Sequence, residues 1–322
     1  MEKNKKKYLN IFISIFCYAI LIVILVNYFW DIDWQRLIET DIDWEILALA
    51  GLATLGIRFI YPEIWVFILK EFGQKIDDYW GLNFIYAKAW LGRYIPGKIA
   101  WIGGKIFFGS QRGLDIKILT LGSLLESTVQ VTASLALGLF IISLLTKGIL
   151  GKGLTIFSII SLMMLLISVY PPLFNRVVGK AYKVIKGRKM EDIYTFKFST
   201  LIKTFLIFCG MSVLIGVPSA LICQSIVPRF DIISNFFYIV GATSLAGSIG
   251  ILAVFAPSGL GVREGVLAIF FSVLFSKEAV LVILILMRLL TTIVDLVFFL
   301  ISKFLLLFRV SLVPARKPPT DL

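Results

Sequence analysis

Long apolar runs separated by short polar segments dominate the chain. Nearly uncharged runs of spanning length lie at residues 9–30, 153–174, 204–227 and 232–256. Runs of similar length that contain isolated charges lie at residues 44–69, 118–146 and 279–302. A helix rises about 1.5 Å per residue and a bilayer core is about 30 Å thick, so each run is long enough to cross a membrane. The pattern predicts an all-α polytopic membrane protein.

A proline and a glycine interrupt the apolar segment GRYIPGKIAWIGGK at residues 92–105. The lysine-rich start of the chain and the basic loop at residues 175–203 belong in the cytoplasm by the positive-inside rule. If residues 82–109 crossed the membrane once, that loop would emerge on the opposite side. We therefore predict that residues 82–109 form a re-entrant helical hairpin, entered from the cytoplasm and broken at Pro96 and Gly97. Non-helical backbone is tolerated at membrane depth where it is buried in protein or lines a wet cavity.

A second break is predicted in the segment APSGLGVREG at residues 256–265, at Pro257, Gly259 and Gly261. We predict a second hairpin here, entered from the outside. The last span then runs inward, so both chain termini lie in the cytoplasm.

The complete prediction is one membrane domain over residues 1–322, with about six full spans and two re-entrant hairpins, an eight-helix type of architecture. Each half has a broken hairpin followed by a span that contains a charge. The halves 1–150 and 151–308 are therefore predicted to form an inverted repeat, as in many secondary transporters. Residues 309–322 form a short cytoplasmic tail in this prediction.

Composition supports the membrane prediction and excludes several kinds of chemistry. The chain is 59% hydrophobic with a net charge of +12, and its basic residues flank apolar spans, which indicates membrane topology and not nucleic-acid binding. The absence of histidine excludes Ser-His-Asp and Cys-His catalysis and histidine zinc sites. Cys17, Cys209 and Cys223 lie inside apolar runs without metal-ligand spacing, so we predict small buried side chains, no metal site and no cofactor.

The first candidate binding residues are the cations around the first break. Lys88, Arg93, Lys98 and Lys105 occur between residues 81 and 109 without an acidic residue among them. A charge at the bilayer centre costs about 2.5–3.5 kcal/mol on insertion scales, which favours a negatively charged partner. An anionic lipid head group would be such a partner, and backbone N–H groups freed beside Arg93 would also attract its phosphate. The alternative is that Lys88 and Lys105 lie near the membrane interface and extend toward water.

The second candidate site is Arg263 and Glu264, which are adjacent at the start of the half-helix after the second break. In the functional interpretation Arg263 binds the anionic group and Glu264 orients it. The alternative is a structural ion pair that connects the two hairpins.

Glu126, Arg288 and Asp295 are further charges inside apolar runs. Arg288 and Asp295 are two helical turns apart and therefore face the same way. Glu126 must be protonated or paired in hydrocarbon, and Arg93, Arg263 and Arg288 are the candidate partners. We predict that these acids balance the cations of an empty site and exchange partners when a phosphate enters. The alternative is a set of fixed structural pairs.

Arg58 and Glu63 lie on either side of Pro62 in another apolar run. We predict that they form a charge pair at the membrane interface. The alternative is that they belong to the charges that exchange partners when a phosphate enters.

These motifs resemble the lysylphosphatidylglycerol synthase transmembrane region family, the flippase-like domain family. The resemblance rests on RYIPGK, on Glu126 in the following helix and on PSGLGVREG followed by Arg288, and it covers nearly the whole chain. It implies a membrane domain with re-entrant segments that moves an aminoacylated phospholipid or a polyprenyl-phosphate-linked sugar between leaflets. The residues at the family's motif positions are Arg93, Pro96, Gly97, Glu126, Pro257, Gly259, Gly261, Arg263, Glu264 and Arg288. The aminoacyl-phosphatidylglycerol synthases also have a large soluble transferase domain, for which we expect no room in this chain.

The leading hypothesis is a lipid transporter of the cell membrane that binds an anionic head group and has no ATP-binding loop of its own. The predicted substrate-binding residues are Arg93, Lys98, Lys105, Arg263, Glu264, Glu126, Arg288 and Asp295. One alternative is an intramembrane lipid-modifying enzyme in which Glu126 or Glu264 acts as general base. Another is a scaffold for a membrane glycosyltransferase or lipid synthase.

Overall fold

The computed structural model describes residues 41–94, 99–145, 198–253 and 256–312, together with the single positions 156 and 163. The four ranges contain eight α-helices and no strand, which confirms the all-α fold class. The helices are α1 (Trp44–Glu71), α2 (Tyr79–Leu91), α3 (Ile99–Ser110), α4 (Ile116–Leu145), α5 (Phe198–Ile226), α6 (Ile232–Leu252), α7 (Val262–Phe271) and α8 (Lys277–Leu312). Short 3₁₀ turns follow α2 at Gly92–Tyr94 and precede α7 at Pro257–Gly259.

Several predictions concern residues outside the described ranges. They include the spans at 9–30 and 153–174, most of the basic loop at 175–203, the tail beyond 312, and Cys17, Pro96, Gly97 and Lys98. The tail from residue 309 stays a prediction, and α8 continues into it as far as Leu312.

Five helices, α1, α4, α5, α6 and α8, are long and apolar enough to cross a membrane. Their outer faces expose large apolar side chains. On α8 these include Leu289, Leu296, Leu300 and Phe304, each more than half exposed. An apolar surface of this extent belongs in contact with lipid. The chain is a multi-pass membrane protein.

The first predicted hairpin consists of α2 and α3, which pack antiparallel. Gly92 lies against the backbone of Ala100, where an added Cβ would come within 2.9 Å of the carbonyl carbon. Arg112 Nη1, just after α3, lies 2.5 Å from Oδ2 of Asp78, which precedes α2. The hairpin therefore begins and ends at the same end of the bundle, as a re-entrant segment must. We call this the Asp78 end.

The second hairpin consists of α6 and α7. The Tyr238 hydroxyl near the start of α6 donates to the Phe270 carbonyl at the end of α7 over 3.0 Å. The rings of Phe230, before α6, and Phe275, after α7, lie 4.7 Å apart. This hairpin also begins and ends at one end of the bundle, which we call the Asp43 end because the Asp43 N–H there donates to the Ser225 carbonyl over 2.9 Å.

The two hairpins open at opposite ends of α5. The start of α5 lies at the Asp78 end, where the Thr200 hydroxyl donates to Glu71 of α1 over 2.6 Å. Its last turn lies at the Asp43 end, where Ser225 binds Asp43. The hairpin tips meet inside the bundle. Opposed hairpins are what the inverted-repeat prediction requires, and the repeat itself stays a prediction.

The two described cysteines differ in their burial. Cys223 is buried in an apolar core with Ile239 and Ile283, as predicted. Cys209 is half-buried at the edge of a second core that centres on Trp65 and Leu119.

The second break requires left-handed backbone at Ser258, Gly259 and Gly261, with φ of 50°, 69° and 80°. At Gly259 an added Cβ would also lie 2.9 Å from the Gly250 carbonyl oxygen. The glycines predicted at this break are therefore explained by both conformation and close packing.

Gly259→Ala should destabilise the protein by about 2 kcal/mol or more, because a left-handed alanine costs about 1–2 kcal/mol before the clash with Gly250 is added. Thermal unfolding in detergent measures this loss. Gly265→Ala is the matched control, since its Cβ would meet nothing within 4 Å and alanine favours a helix interior. Equal melting temperatures for Gly259→Ala and wild type would contradict this explanation of the break.

Candidate functional site

A cavity of ≈ 180 Å³ lies between the hairpin tips and helices α1, α4, α5 and α6. This volume is more than ten times the roughly 10–15 Å³ needed to hold one water molecule. Its wall is partly apolar, with Ile57, Phe208 and Met287, and partly polar. The polar lining residues are Thr54, Arg58, Tyr61, Arg93, Gln130, Ser134, Ser212, Ser219, Thr243, Ser244, Ser248, Ser258, Arg263 and Thr291.

Three arginines line the cavity from different elements: Arg58 from α1, Arg93 from the tip of the first hairpin and Arg263 from the tip of the second. Among the residues that the structure describes, no carboxylate lines the cavity. The wall therefore presents cations, hydroxyls and an amide to whatever enters.

Asp295 lies behind this wall, is 0% exposed and organises two of the arginines. Its Oδ1 accepts hydrogen bonds from Arg58 Nε at 2.6 Å and from Trp90 Nε1 at 3.0 Å. Its Oδ2 accepts from the Tyr94 hydroxyl at 2.7 Å and lies 3.6 Å from Arg93 Nη1. Because both oxygens are engaged, Asp295 fixes the arginines and does not itself face a ligand.

Arg93 connects the two hairpin tips. Its Nε donates to the Ser258 hydroxyl of the second break over 3.0 Å. Its guanidinium lies over the Trp90 ring, 4.8 Å from the centroid, a geometry in which the ring stabilises the cation. The side chain is half-buried and still lines the cavity.

Arg263 is half-buried in the first turn of α7, and its guanidinium forms no hydrogen bond or ion pair with any described residue. The adjacent Glu264 is engaged elsewhere, since it accepts from the Gly261 N–H at 2.7 Å and lies 3.5 Å from Arg288 Nη1. Arg288 also donates to the Ser258 carbonyl over 3.2 Å. The alternative of a fixed Arg263–Glu264 ion pair is therefore wrong.

The charges around the cavity do not cancel among the described side chains. The cations are Arg58, Arg93, Arg263 and Arg288, and the anions are Asp295 and Glu264. Four positive and two negative charges leave a net charge of +2. A surplus of cations at low dielectric is costly without a counter-ion, so the cavity attracts an anion.

Lys105 and Glu126 form a separate, closed ion pair. Lys105 Nζ lies 2.5 Å from Glu126 Oε2, and the Tyr86 hydroxyl donates to Glu126 Oε1 over 2.7 Å. The rings of Trp65 and Trp101 lie 5.6 and 4.7 Å from the ammonium. Lys105 is 1% exposed, Glu126 is 0% exposed, and neither lines the cavity.

Two expectations for this pair are therefore wrong. Lys105 does not extend toward the membrane interface, because α3 folds back and directs it against α4. Glu126 does not pair with Arg93, Arg263 or Arg288. Those arginines lie around the cavity, whereas Lys105 lies next to Glu126.

The predicted interface pair of Arg58 and Glu63 is also wrong. Arg58 is 7% exposed and bonded to Asp295, whereas Glu63 is exposed. A spacing of five residues places the two on different helix faces. Lys88 is exposed with Nζ 3.8 Å from the Phe108 ring centroid and does not line the cavity.

No protein-family model and no curated protein matches the chain. The resemblance drawn from the motifs stays a prediction.

The sequence analysis missed the hydroxyl and amide side chains that line the cavity, and two of their polar atoms lack a described hydrogen-bond partner. Gln130 Oε1 and Ser244 Oγ are buried, and neither has a hydrogen-bond partner within the described ranges. It also missed Trp90 and Tyr94, although WLGRY places both beside Arg93. The available signal for Gln130 was the presence of a polar amide inside the apolar run of α4.

Proposed function

We propose that the chain is a lipid transporter, in which the cavity receives an anionic head group while the lipid tails remain in the bilayer. This proposal is carried by Arg263, a half-buried cation on the wall of a polar cavity, whose guanidinium forms no hydrogen bond and no ion pair within 4 Å with a described residue, although Glu264 is near enough to act on its charge. A phosphate there would gain charge-assisted hydrogen bonds from Arg263, with Arg93 within the same wall.

The opposed hairpins support a mechanism of alternating access. The tips touch through Arg93 and Ser258, and each hairpin opens at a different end of the bundle. Separation of the tips on one side or the other would expose the same cavity to either leaflet. The Arg58–Asp295 pair joins two spans, α1 and α8, and would remain in place while the hairpins move.

The distribution of cations supports an orientation with the Asp78 end in the cytoplasm. Seven described lysines and arginines lie at that end, and two, Arg229 and Lys277, lie at the Asp43 end. The seven are Lys70, Lys75, Arg112, Lys117, Lys203, Lys303 and Arg309. The positive-inside rule favours placing the end with more lysines and arginines on the cytoplasmic side of the cell membrane.

The surroundings of Glu126 and Glu264 favour transport over the enzyme hypothesis. A general base needs a free carboxylate within hydrogen-bond reach of the reacting group. Glu126 is held by Lys105 and Tyr86, and Glu264 caps α7 at Gly261. Neither lines the cavity.

The test is lipid exchange between leaflets in proteoliposomes that contain phosphatidylglycerol labelled on an acyl chain, with dithionite reducing the label in the outer leaflet. We expect Arg263→Gln to slow exchange about 10- to 100-fold, since a hydrogen bond to a charged group contributes about 1.5–3 kcal/mol. Arg229→Gln, at an exposed arginine far from the cavity, is the control and should match wild type. Unchanged exchange by Arg263→Gln, or none by wild type, would refute the proposal.

A further inference from the structure

The hydrogen bonds that the cavity hydroxyls already form determine whether these hydroxyls can donate to a ligand or accept from it. Thr54, Ser212, Ser219 and Thr243 each donate to the carbonyl one turn earlier in their own helix, over 2.7–3.0 Å. A hydroxyl has one proton and two lone pairs, so a hydroxyl that donates to its helix retains acceptor capacity. Ser248 and Thr291 bond in the same way. This part of the wall is therefore rich in acceptors.

Gln130, whose amide lies beside the Tyr61 hydroxyl, adds an acceptor oxygen that has no hydrogen-bond partner among the described residues. Its Oε1 is buried, lines the cavity and receives no hydrogen bond from a described residue. A buried unsatisfied acceptor costs about 1–3 kcal/mol, which a donor on the ligand would recover. Gln130 and Ser244 lie on α4 and α6, and Arg93 and Arg263 lie at the hairpin tips. The site therefore has an anion-binding part and a donor-binding part on different elements.

A ligand donor could be a hydroxyl or an ammonium, and the charges of the cavity decide between them. Like charges brought together cost several kcal/mol, and no described carboxylate lines the wall to offset the three arginines. The tryptophan rings cannot substitute for a carboxylate. Trp90 already has Arg58 and Arg93 within 5.2 and 4.8 Å of its centroid, and Trp101 has Lys105.

We infer that the cavity takes a hydroxylated phosphate head group without an ammonium, such as glycerol phosphate or a glycosyl phosphate, and rejects aminoacylated and ethanolamine head groups. This inference rests on the proposed transport function. The phosphate binds at Arg263 and Arg93, and the hydroxyls donate to Gln130 and the hydroxyl-rich wall of α5 and α6. Of the two lipid classes that the motif resemblance implies, the polyprenyl-phosphate-linked sugar fits and the aminoacylated phospholipid does not.

The first experiment compares head groups in the same proteoliposome assay. Acyl-labelled phosphatidylglycerol, phosphatidic acid, phosphatidylethanolamine and lysylphosphatidylglycerol are each supplied in trace amounts to the same vesicles. We expect phosphatidylglycerol to exchange at least about tenfold faster than either ammonium-bearing lipid. A separate assay uses a polyprenyl-phosphate-linked sugar, whose exposure in the outer leaflet is measured by oxidation with membrane-impermeant periodate. It shows whether the hydroxylated phosphate head group that the cavity takes is a glycosyl phosphate or a glycerol phosphate.

The outcomes separate this inference from the proposed function. Exchange of lysylphosphatidylglycerol as fast as phosphatidylglycerol would overturn the inference and leave transport intact. No exchange of any lipid above protein-free vesicles would overturn the proposed function itself.

A second experiment tests the donor-binding part through Gln130→Leu and the smaller change Ser244→Ala. Each variant should lower the ratio of phosphatidylglycerol to phosphatidic acid exchange about 2- to 10-fold, since phosphatidic acid lacks the head-group hydroxyls that these residues bind. The ratio is independent of how much active protein each preparation contains. If both variants preserve the wild-type ratio, the assignment of Gln130 and Ser244 is wrong.

Discussion

Replacing Asp295 with asparagine should destabilise the protein by about 3–5 kcal/mol and abolish lipid exchange, because a buried charge network loses the carboxylate that holds it. Arg58 would keep its buried position without an anion, and Arg93 would lose the nearest negative charge. Trp90 and Tyr94 would lose a charged acceptor. The measurements are thermal unfolding in detergent and exchange of labelled phosphatidylglycerol.

Asp78→Asn is the matched control for this prediction. Asp78 is also an aspartate between two arginines, Arg112 and Arg309, but all three side chains are at least 37% exposed. Exposed ion pairs contribute about 0–1 kcal/mol, so this variant should melt near wild type. If Asp295→Asn were no less stable than Asp78→Asn, Asp295 would not organise the site.

Glu126→Gln should destabilise the protein by a similar amount, about 3–5 kcal/mol, because it leaves the Lys105 ammonium buried without a counter-charge. The amide preserves an oxygen for the Tyr86 hydroxyl, so the change isolates the effect of charge. Adding Lys105→Met removes the unpaired cation and fills the same space. The double variant should therefore recover most of the lost stability.

The double variant also separates a structural role from a role in transport. Lys105 and Glu126 do not line the cavity, so lipid exchange should continue at a rate close to that of wild type. A stable double variant without exchange would show that this pair takes part in transport, as the sequence analysis predicted.

The helices and hairpins were predictable because their signals are local. Apolar runs of spanning length and proline–glycine breaks act on the backbone where they occur, and the membrane permits few alternatives. The end of α8 was missed because Lys303 interrupts the uncharged run. Lysine is a good helix former, so the helix continues past Lys303. The last turn contains Arg309, where a basic side chain is favourable.

The pairing of charges was not predictable because it depends on how helices rotate and pack. The sequence shows that Glu126 needs a cation, but it contains nothing that selects Lys105 over three arginines. Arg58 and Asp295 are separated by 237 positions in the chain and meet only through the packing of α1 against α8. A partner so distant cannot be inferred from spacing within one helix.

The central claim is that the middle of the bundle holds a wet cavity of positive potential. The most direct test introduces Ser134→Cys, at a lining position, into a protein whose Cys17, Cys209 and Cys223 are replaced by alanine. The introduced cysteine is modified with two methanethiosulfonate reagents, one that carries a negative sulfonate and one that carries a positive trimethylammonium group. Each modification rate is divided by the rate at which the same reagent reacts with a small free thiol in solution. The account predicts that the normalised rate is several-fold higher for the sulfonate, and that Arg263→Gln reduces this preference. No reaction with either reagent, or an equal or faster reaction with the trimethylammonium reagent, would contradict it.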